Sequence, residues 1–552
     1  MDKFGDETLS GNYGIFKMIV GTLAATVGAL AIGGTLGYFT AVFLAFYCSK
    51  RLKKVFSTMI NLLAGIPSVV YGFFGIVFLL PLLAKIAPNN GSGLLATSLV
   101  LGIMIMPTVV SLSKTSMEAV PRSYYEGALA LGASHSSAVF GTMTKAARSG
   151  ITASLVLGVG RALGETMAVV MVAGNSVAYP ESLFNSFRVM TANIVMEMGY
   201  AGDVQQGALV ATGLILLIFV LIVNVIFSAI SKRAVKGAVK GNGLFKLFKR
   251  KERSAKPARI SRLSSAVSAL KYKLNTAKIG AAVSVGAGVF AATALLLILG
   301  FIFVKGTPYL VSNPQLLFGQ YAFDSEEITI LPSIITTLMT VLLSLLIAVP
   351  IGICTAIFLN EYSRKKSFLI NLIRGAIDVL SGVPSIVYGL FGMITFVSLI
   401  KGTTTILAGC LTISILLLPT IVRSTEESLK SVQDSLREGS FALGAGKMRT
   451  IFKIVLPSAL PGIMSAIILS MGRVVSESAP FVYTMGSVIM ANPTSYLDSN
   501  ATLAVALYRL SGEGWYVNEA YATAVVLIVI VLGLNLLAEL IASRLNKKLQ
   551  GE

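Results

Sequence analysis

Apolar positions in this chain come as long unbroken runs, without the two-residue alternation of a half-buried strand. The first begins about Ile15 and closes near Tyr47, followed at once by the basic residues Lys50, Arg51, Lys53 and Lys54. Four more follow, at about Ile60 to Ile86, Leu94 to Leu112, Ile151 to Ala173 and Ala208 to Ile230. Beyond a basic stretch the runs resume at about Ala281 to Val304, then as a long one ending at the sequence EYSRKK, and then around Pro384. The last three lie at about Thr405 to Val422, Pro461 to Thr484 and Tyr521 to Ile541. Crossing a hydrocarbon core ~30 Å thick takes about 20 apolar residues per helix. The pattern therefore predicts an all-α polytopic membrane protein with about eleven spans, five before the basic stretch and six after it. Because Lys and Arg resist translocation, the basic clusters belong on the cytoplasmic face, with the N-terminus outside and the C-terminus inside. The acid-rich loops, with Glu181, Glu197 and Asp203 and with Asp324, Glu326 and Glu327, then fall outside.

Composition agrees with that class. The chain is 55% hydrophobic and 13% charged, with a mean hydropathy of +0.81, too apolar for a soluble protein of this size. A net charge of +20 raises the question of nucleic acid. The basic residues, however, sit in short clusters between apolar runs and form no aromatic-interleaved face, so no nucleic-acid partner is expected. Residues 232–278 alone hold fifteen Lys or Arg against the single acid Glu252. This stretch reads as a cytoplasmic linker between a first half, 1–231, and a second half, 279–552, with pieces that an anionic leaflet would also attract. Cys48, Cys354 and Cys410 have neither disulfide nor metal-ligand spacing and read as buried small residues. The opening MDKFGDETLSGNYG has no signal-peptide pattern, so the first apolar run is expected to serve as the insertion signal.

The two halves repeat each other. MPTVVSLSKTSMEAVPRSYYEGALALGAS and GVGRALGETMAVVMVAGN return 312 positions later as LPTIVRSTEESLKSVQDSLREGSFALGAG and SMGRVVSESAPFVYTMGS. Glu126 thus maps to Glu438, Gly132 to Gly444, Arg161 to Arg473 and Glu165 to Glu477. NLLAGIPSVVYGFFGIVFL around Pro67 returns as DVLSGVPSIVYGLFGMITF around Pro384 at an offset of 317. Two halves of like orientation imply a pseudo-two-fold axis along the membrane normal with a pathway between them. In the second copy Glu427 to Leu443 has helical composition and Gly444 is placed to end it. A second short amphipathic helix is expected from Lys447, with Ile451, Ile454 and Val455 as its apolar stripe. Two such helices make a rigid knob suited to docking. GAGKM fails as a phosphate-binding loop, because Phe441 stands five before Gly446 and Met448 follows the lysine. ATP binding by this chain is therefore not expected. His135, the single histidine, reads as a surface residue.

Charges inside a span carry the sharpest signal, since an Arg at the bilayer centre costs about 2.5–3.5 kcal/mol even on a permissive scale. Arg161 and Glu165 lie one helical turn apart and can pair on one face, as can Arg473 and Glu477. Two readings stand: ion pairs that lock helices together, or guanidiniums that converge on a pathway for a tetrahedral oxyanion. Pro67–Ser68 and Pro384–Ser385 are expected to break their helices. Freed carbonyls and the Ser68 and Ser385 hydroxyls then line the pathway, or Gly72, Gly75, Gly389 and Gly392 serve helix packing.

Glu–Gly–Ala/Ser–x–Ala–Leu–Gly in a cytoplasmic loop resembles the coupling motif of ABC importer permeases. GRALGETMAVVMVAGN and the G(I/V)PS(V/I)VYG(F/L)FG segments are similar to the two permease subunits of the phosphate-specific importer, C-type in the first half and A-type in the second. The resemblance implies a type I permease fold, with coupling residues Glu126, Gly127, Ala128 and Gly132 and, in the second copy, Glu438, Gly439, Ala442 and Gly444. It implies no cofactor on this chain, two ATPase subunits docked on the loops, and an extracytoplasmic binding protein that delivers phosphate. Sulfate or molybdate as cargo, or an ion-coupled secondary transporter, are the alternatives. Two departures stand out. The first half lacks the helix that precedes its long first segment in that family, and it reads MTKAARSG where the second has VLPSALPG.

Overall fold

The structure is a computed structural model that describes residues 14–87, 89–240, 261–319, 328–362, 368–400, 402–512, 514 and 516–550. The polar start, the centre of the basic stretch with Glu252, the acids Asp324, Glu326 and Glu327, and Arg364 to Lys366 lie outside the described residues. Every regular element described is helical, apart from one isolated bridge between Gly174 and Phe187.

Nine helices of the first half recur in the second. They are α1 (Phe16–Tyr47), α2 (Lys50–Gly65), α3 (Ser68–Leu83), α4 (Leu94–Glu118), α5 (Arg122–Ala130), α6 (Arg148–Gly164), α7 (Met167–Val172), α8 (Met190–Glu197) and α9 (Asp203–Lys240). The unmatched α10 (Ser261–Ser312) comes next. Their counterparts are α11 (Leu331–Tyr362), α12 (Phe368–Leu380), α13 (Ser385–Ile400), α14 (Ile406–Ser431), α15 (Asp434–Ala442), α16 (Lys447–Ser476), α17 (Ala479–Thr484), α18 (Leu503–Gly512) and α19 (Val517–Gln550). α9 and α10 run as helices into the basic stretch from either side, to Lys240 and from Ser261.

Among the described residues eight helices are long and apolar enough to cross a membrane, or ten if each bent pair counts as one span, against about eleven expected. The difference lies at Ile151 to Ala173. There α6 has 17 residues and stops at Gly164, and α7 continues beyond a break at Glu165, whose ψ of 134° is extended. The bent pairs are α2–α3, at 93°, and α12–α13, at 106°. Proline clashes with a helical predecessor, and Ile66 accordingly takes ψ 129° before Pro67. At each bend one freed carbonyl is taken up by a tyrosine of the same half. The Tyr71 hydroxyl donates to the Leu63 carbonyl at 2.5 Å, and Tyr388 to Leu380 at 2.7 Å.

α4 and α14 form the buried centre of each half, α4 between α1 and α6 and α14 between α11 and α16. The extra helix α10 packs on α19 of its own half and on α1 of the other. Its Phe301 ring meets Phe74 at 6.2 Å, Phe78 at 5.2 Å and Tyr521 at 5.9 Å, which seals the seam with aromatic surface from both halves. Only Cys410 is buried. Cys48 is half-buried, and Cys354 is exposed on α11, among the exposed apolar residues Leu346, Ile351 and Phe358.

Two local expectations need correction. Glu427 to Leu443 is not one helix, because α14 ends at Ser431 and Val432 is extended at ψ 126° before α15 begins. The helix from Lys447 is not separate either. After a π-turn at Ile451–Val455 it continues as α16, and it buries Ile451 and Val455.

Candidate functional site: a charged break between the halves and two coupling knobs

Each coupling loop is a short helix closed by a glycine in the left-handed region. After α5, Gly132 has φ +83°, its N–H bonds the Leu129 carbonyl at 2.8 Å, and the Ala133 N–H bonds Ala128 at 3.1 Å. After α15, Gly444 has φ +79°, its N–H bonds Phe441 at 2.9 Å, and the Ala445 N–H bonds Ser440 at 3.1 Å. This paired closure is the Schellman motif, and it requires a residue free of a Cβ penalty at the turn. Glu126, Gly127, Glu438, Gly439 and Ala442 are exposed, and Ala128 is half-buried. Sequence reasoning missed the apolar tips, where Leu131 and Leu443 are each 91% exposed, with Tyr124, Leu436 and Phe441 exposed beside them. A matched pair of exposed leucines outside the spans is surface for a partner to cover. Their repeat at identical positions in the two loops was the available signal.

The knobs are anchored differently. Arg437 of α15 pairs with Glu361 at 3.1 Å and with Asp434 at 3.0 Å, and the first two of these side chains are only 15% and 11% exposed. The same guanidinium donates to the Leu429 and Val432 carbonyls at 2.7 Å each. In the first half the position of Arg437 is held by Tyr125, whose hydroxyl bonds His135 Nδ1 at 2.7 Å. The His135 ring rests edge-on against Tyr47 at 4.9 Å, just as Lys447 lies over Tyr362 at 4.6 Å. His135 is exposed, as expected, yet it is one face of a packed contact.

The intramembrane charges meet at the seam between the halves. Gly164 of α6 approaches Pro384, and a Cβ there would stand 3.5 Å from the proline Cα. Arg161 acts electrostatically on Glu477 as well as on Glu165, and the two carboxylates act on each other across the seam. Ser68 lies beside Glu165, and Ser385 beside Glu477. Each arginine also donates to a threonine that the sequence reading passed over: Arg161 to Thr108 at 3.1 Å and Arg473 to Thr420 at 3.3 Å. Thr108 and Thr420 follow Pro107 and Pro419, prolines inside α4 and α14, and their repeat in both halves was the missed signal.

The two pairs are not alike. Arg473 Nε lies 3.5 Å from Glu477 Oε1. Arg161 and Glu165 form no such ion pair; Glu165, like Glu477 the first residue beyond its helix, accepts the Ala168 N–H at 3.3 Å. Arg473 keeps 40% exposure and Glu477 18%, in a span where an isolated charge is expensive. The Ser478 hydroxyl beside them is buried without a hydrogen-bond partner among the described residues.

On the side away from the coupling knobs the seam is closed. Thr166 to Val170 and Ser478 to Phe481 are buried throughout. The stretch expected to be a simple outer loop, Ser176 to Gln206, folds back as α8, where Met190 to Ile194 are fully buried. Thr191 donates to the Glu165 carbonyl at 3.1 Å, and Tyr483 of the other half donates to the Ile194 carbonyl at 2.8 Å. Arg188, the single basic residue of that stretch, is held by Glu197 at 2.6 Å and by the Asn175 carbonyl at 2.8 Å.

Comparison with known proteins agrees with this arrangement. The "Phosphate transport system permease protein PstA homolog" of Mycoplasma genitalium is 31% identical over 514 residues, 86% of this chain and 77% of the relative. "Phosphate transport system permease protein PstA 1" of Mycobacterium tuberculosis is 36% identical over 207 residues, 37% of this chain and 67% of the relative. "Phosphate transport system permease protein PstC" of Haemophilus influenzae is 34% identical over 234 residues, 39% of this chain and 74% of the relative. The family model described as "Binding-protein-dependent transport system inner membrane component" matches residues 33–236 and, a second time, 348–551. With its knobs, its charged breaks and nine of its helices duplicated, the chain belongs to that family and carries the family's membrane unit twice.

Proposed function

We propose that this chain is the complete membrane-embedded pathway of an ATP-driven importer of inorganic phosphate. The observation that carries the reading is the meeting of Arg161, Glu165, Arg473 and Glu477 at the seam, behind a closed far side. Two guanidiniums related by the pseudo-axis suit a tetrahedral oxyanion, and the carboxylates keep the site from holding it too tightly to release. Permeases of this family work with ATPase and binding-protein partners; here two ATPase subunits would dock on the two knobs, and nucleotide would be bound there and not by this chain. The N-terminus and the α8 and α18 face would lie outside, where a phosphate-binding protein delivers its anion, with the knobs and the C-terminus in the cytoplasm.

The contacts suggest how ATPase movement reaches the anion. Arg437 ties α15 to the end of α14 through the Leu429 and Val432 carbonyls. α14 carries Thr420, and Thr420 holds Arg473. A push on the second knob would therefore reach the pathway through a single rigid helix, whereas the first knob depends on the Tyr125–His135–Tyr47 contact.

The test is uptake of labelled phosphate by the complex reconstituted with its ATPases and binding protein, with sulfate and molybdate as competitors. ATP-dependent uptake that both competitors leave intact is the expected result. Gradient-driven flux without any ATPase, or preferred transport of sulfate or molybdate, would overturn the reading.

A further inference from the structure

The last helix of each half carries one polar residue at the seam to which no role has been given. Asn224 stands on α9 and Asn535 on α19, each within an otherwise apolar sequence, LIVNVIF and VLGLNLLA. On α9 it continues the inward stripe of Thr212, Leu216 and Val220, and on α19 it lies between Val531 and Ala538. Each is half-buried, and neither carboxamide has a hydrogen-bond partner among the described residues.

Their surroundings are matched and cross the seam. A Cβ on Gly160, the residue before Arg161, would stand 3.5 Å from Asn224 Oδ1, and one on Gly382 of the other half 3.2 Å from Asn224 Nδ2. On Gly472, the residue before Arg473, it would stand 3.3 Å from Asn535 Oδ1, and on Gly65 of the other half 3.9 Å from Asn535 Nδ2. Each amide thus lies between its own half's arginine helix and the other half's Pro–Ser bend, against two glycines that leave it room.

We infer that Asn224 and Asn535 are a second, neutral pair of anion contacts, placed beside the arginines and toward the knobs. The inference rests on the phosphate-pathway reading. An unsatisfied carboxamide inside a membrane protein is unfavourable unless something bonds it in turn. A protonated oxyanion offers both complements, oxygens for the N–H groups and a hydroxyl for the carbonyl. Neutral donors also suit a release step, because conduction needs sites weak enough to leave. Helix-to-helix packing alone would be served as well by an apolar residue of the same size.

The experiment measures phosphate uptake against phosphate concentration in the reconstituted complex, with thermal stability and ATPase binding measured in parallel. Uptake by the unaltered complex comes first, and its absence would sink the proposed function and not this inference. Asn224→Leu with Asn535→Leu removes the donors and keeps the bulk. We expect normal assembly with the half-saturating phosphate concentration raised about tenfold, the size of one lost hydrogen bond to a charged group. The near-isosteric Asn224→Asp with Asn535→Asp puts negative charge beside the anion and should lose uptake while ATPases still bind. Wild-type half-saturation in the Leu pair overturns the inference. If the Leu pair does not assemble, the Asp pair decides: lower stability with unchanged half-saturation means packing only and overturns it too.

Discussion

Arg161 and Arg473 occupy the same place in the repeat, yet one is freed from its glutamate and the other is not. If these groups only brace helices, exchanging both arginines and both glutamates for glutamine should restore folding and transport together. Acting on the anion, they make a different pattern: the fully neutral protein inserts and binds its ATPases but does not take up phosphate. Uptake at the wild-type rate in that variant would return the charges to a bracing role. Arg473→Lys keeps the charge and loses the planar fork. We expect it to insert normally and to transport poorly, and more so than Thr420→Val, which removes only the hydroxyl that steadies the guanidinium, worth about 1 kcal/mol.

At the scale of the element, α5 and α15 share a glycine closure but differ in their anchors. A β-branched side chain in the left-handed region costs roughly 1–2 kcal/mol, so Gly444→Val should loosen the end of α15 and uncouple ATP hydrolysis from uptake, while the spans still insert. Gly132→Val should do less, because α5 lacks the rigid tie to its span. Equal effects of the two substitutions on the ratio of ATP hydrolysed to phosphate moved would count against this asymmetry. Arg437→Ala strands Glu361, which is 11% exposed, and removing one partner of such a pair costs about 3 kcal/mol. Thermal unfolding should move down accordingly, and coupling should fail even in protein that remains folded. Retained coupling in Arg437→Ala would exclude α14 as the transmitting element.

For the whole molecule, one chain already presents both knobs. Native mass measurement should find one copy of this chain with two ATPase subunits, and two copies per pair of ATPases would refute the fused arrangement. Cutting within residues 241–260 should leave uptake largely intact, because α9, α10 and α19 hold the halves together by packing across the seam. Loss of uptake with both pieces still in the membrane would assign those residues more than a tether.

The sequence by itself determined whatever depends on neighbours within a turn or on the repeat. Apolar runs set the spans, Pro67 and Pro384 set the bends, and Gly132 and Gly444 announced a helix end through a conformation that only the local chain dictates. The Arg and Glu positions were legible because a charge in an apolar run is conspicuous at any distance. Tertiary structure alone decided which groups meet. Tyr483 and Ile194 are 289 residues apart, and nothing local marks a phenol for a carbonyl in the other half. The burial of α8 was hidden because its length and mild polarity are those of a loop, and only the surrounding helices supply the apolar walls that enclose it. Asn224 and Asn535 gave no sign for the same reason. A lone carboxamide in a span is unremarkable until the fold sets it against glycines of the opposite half.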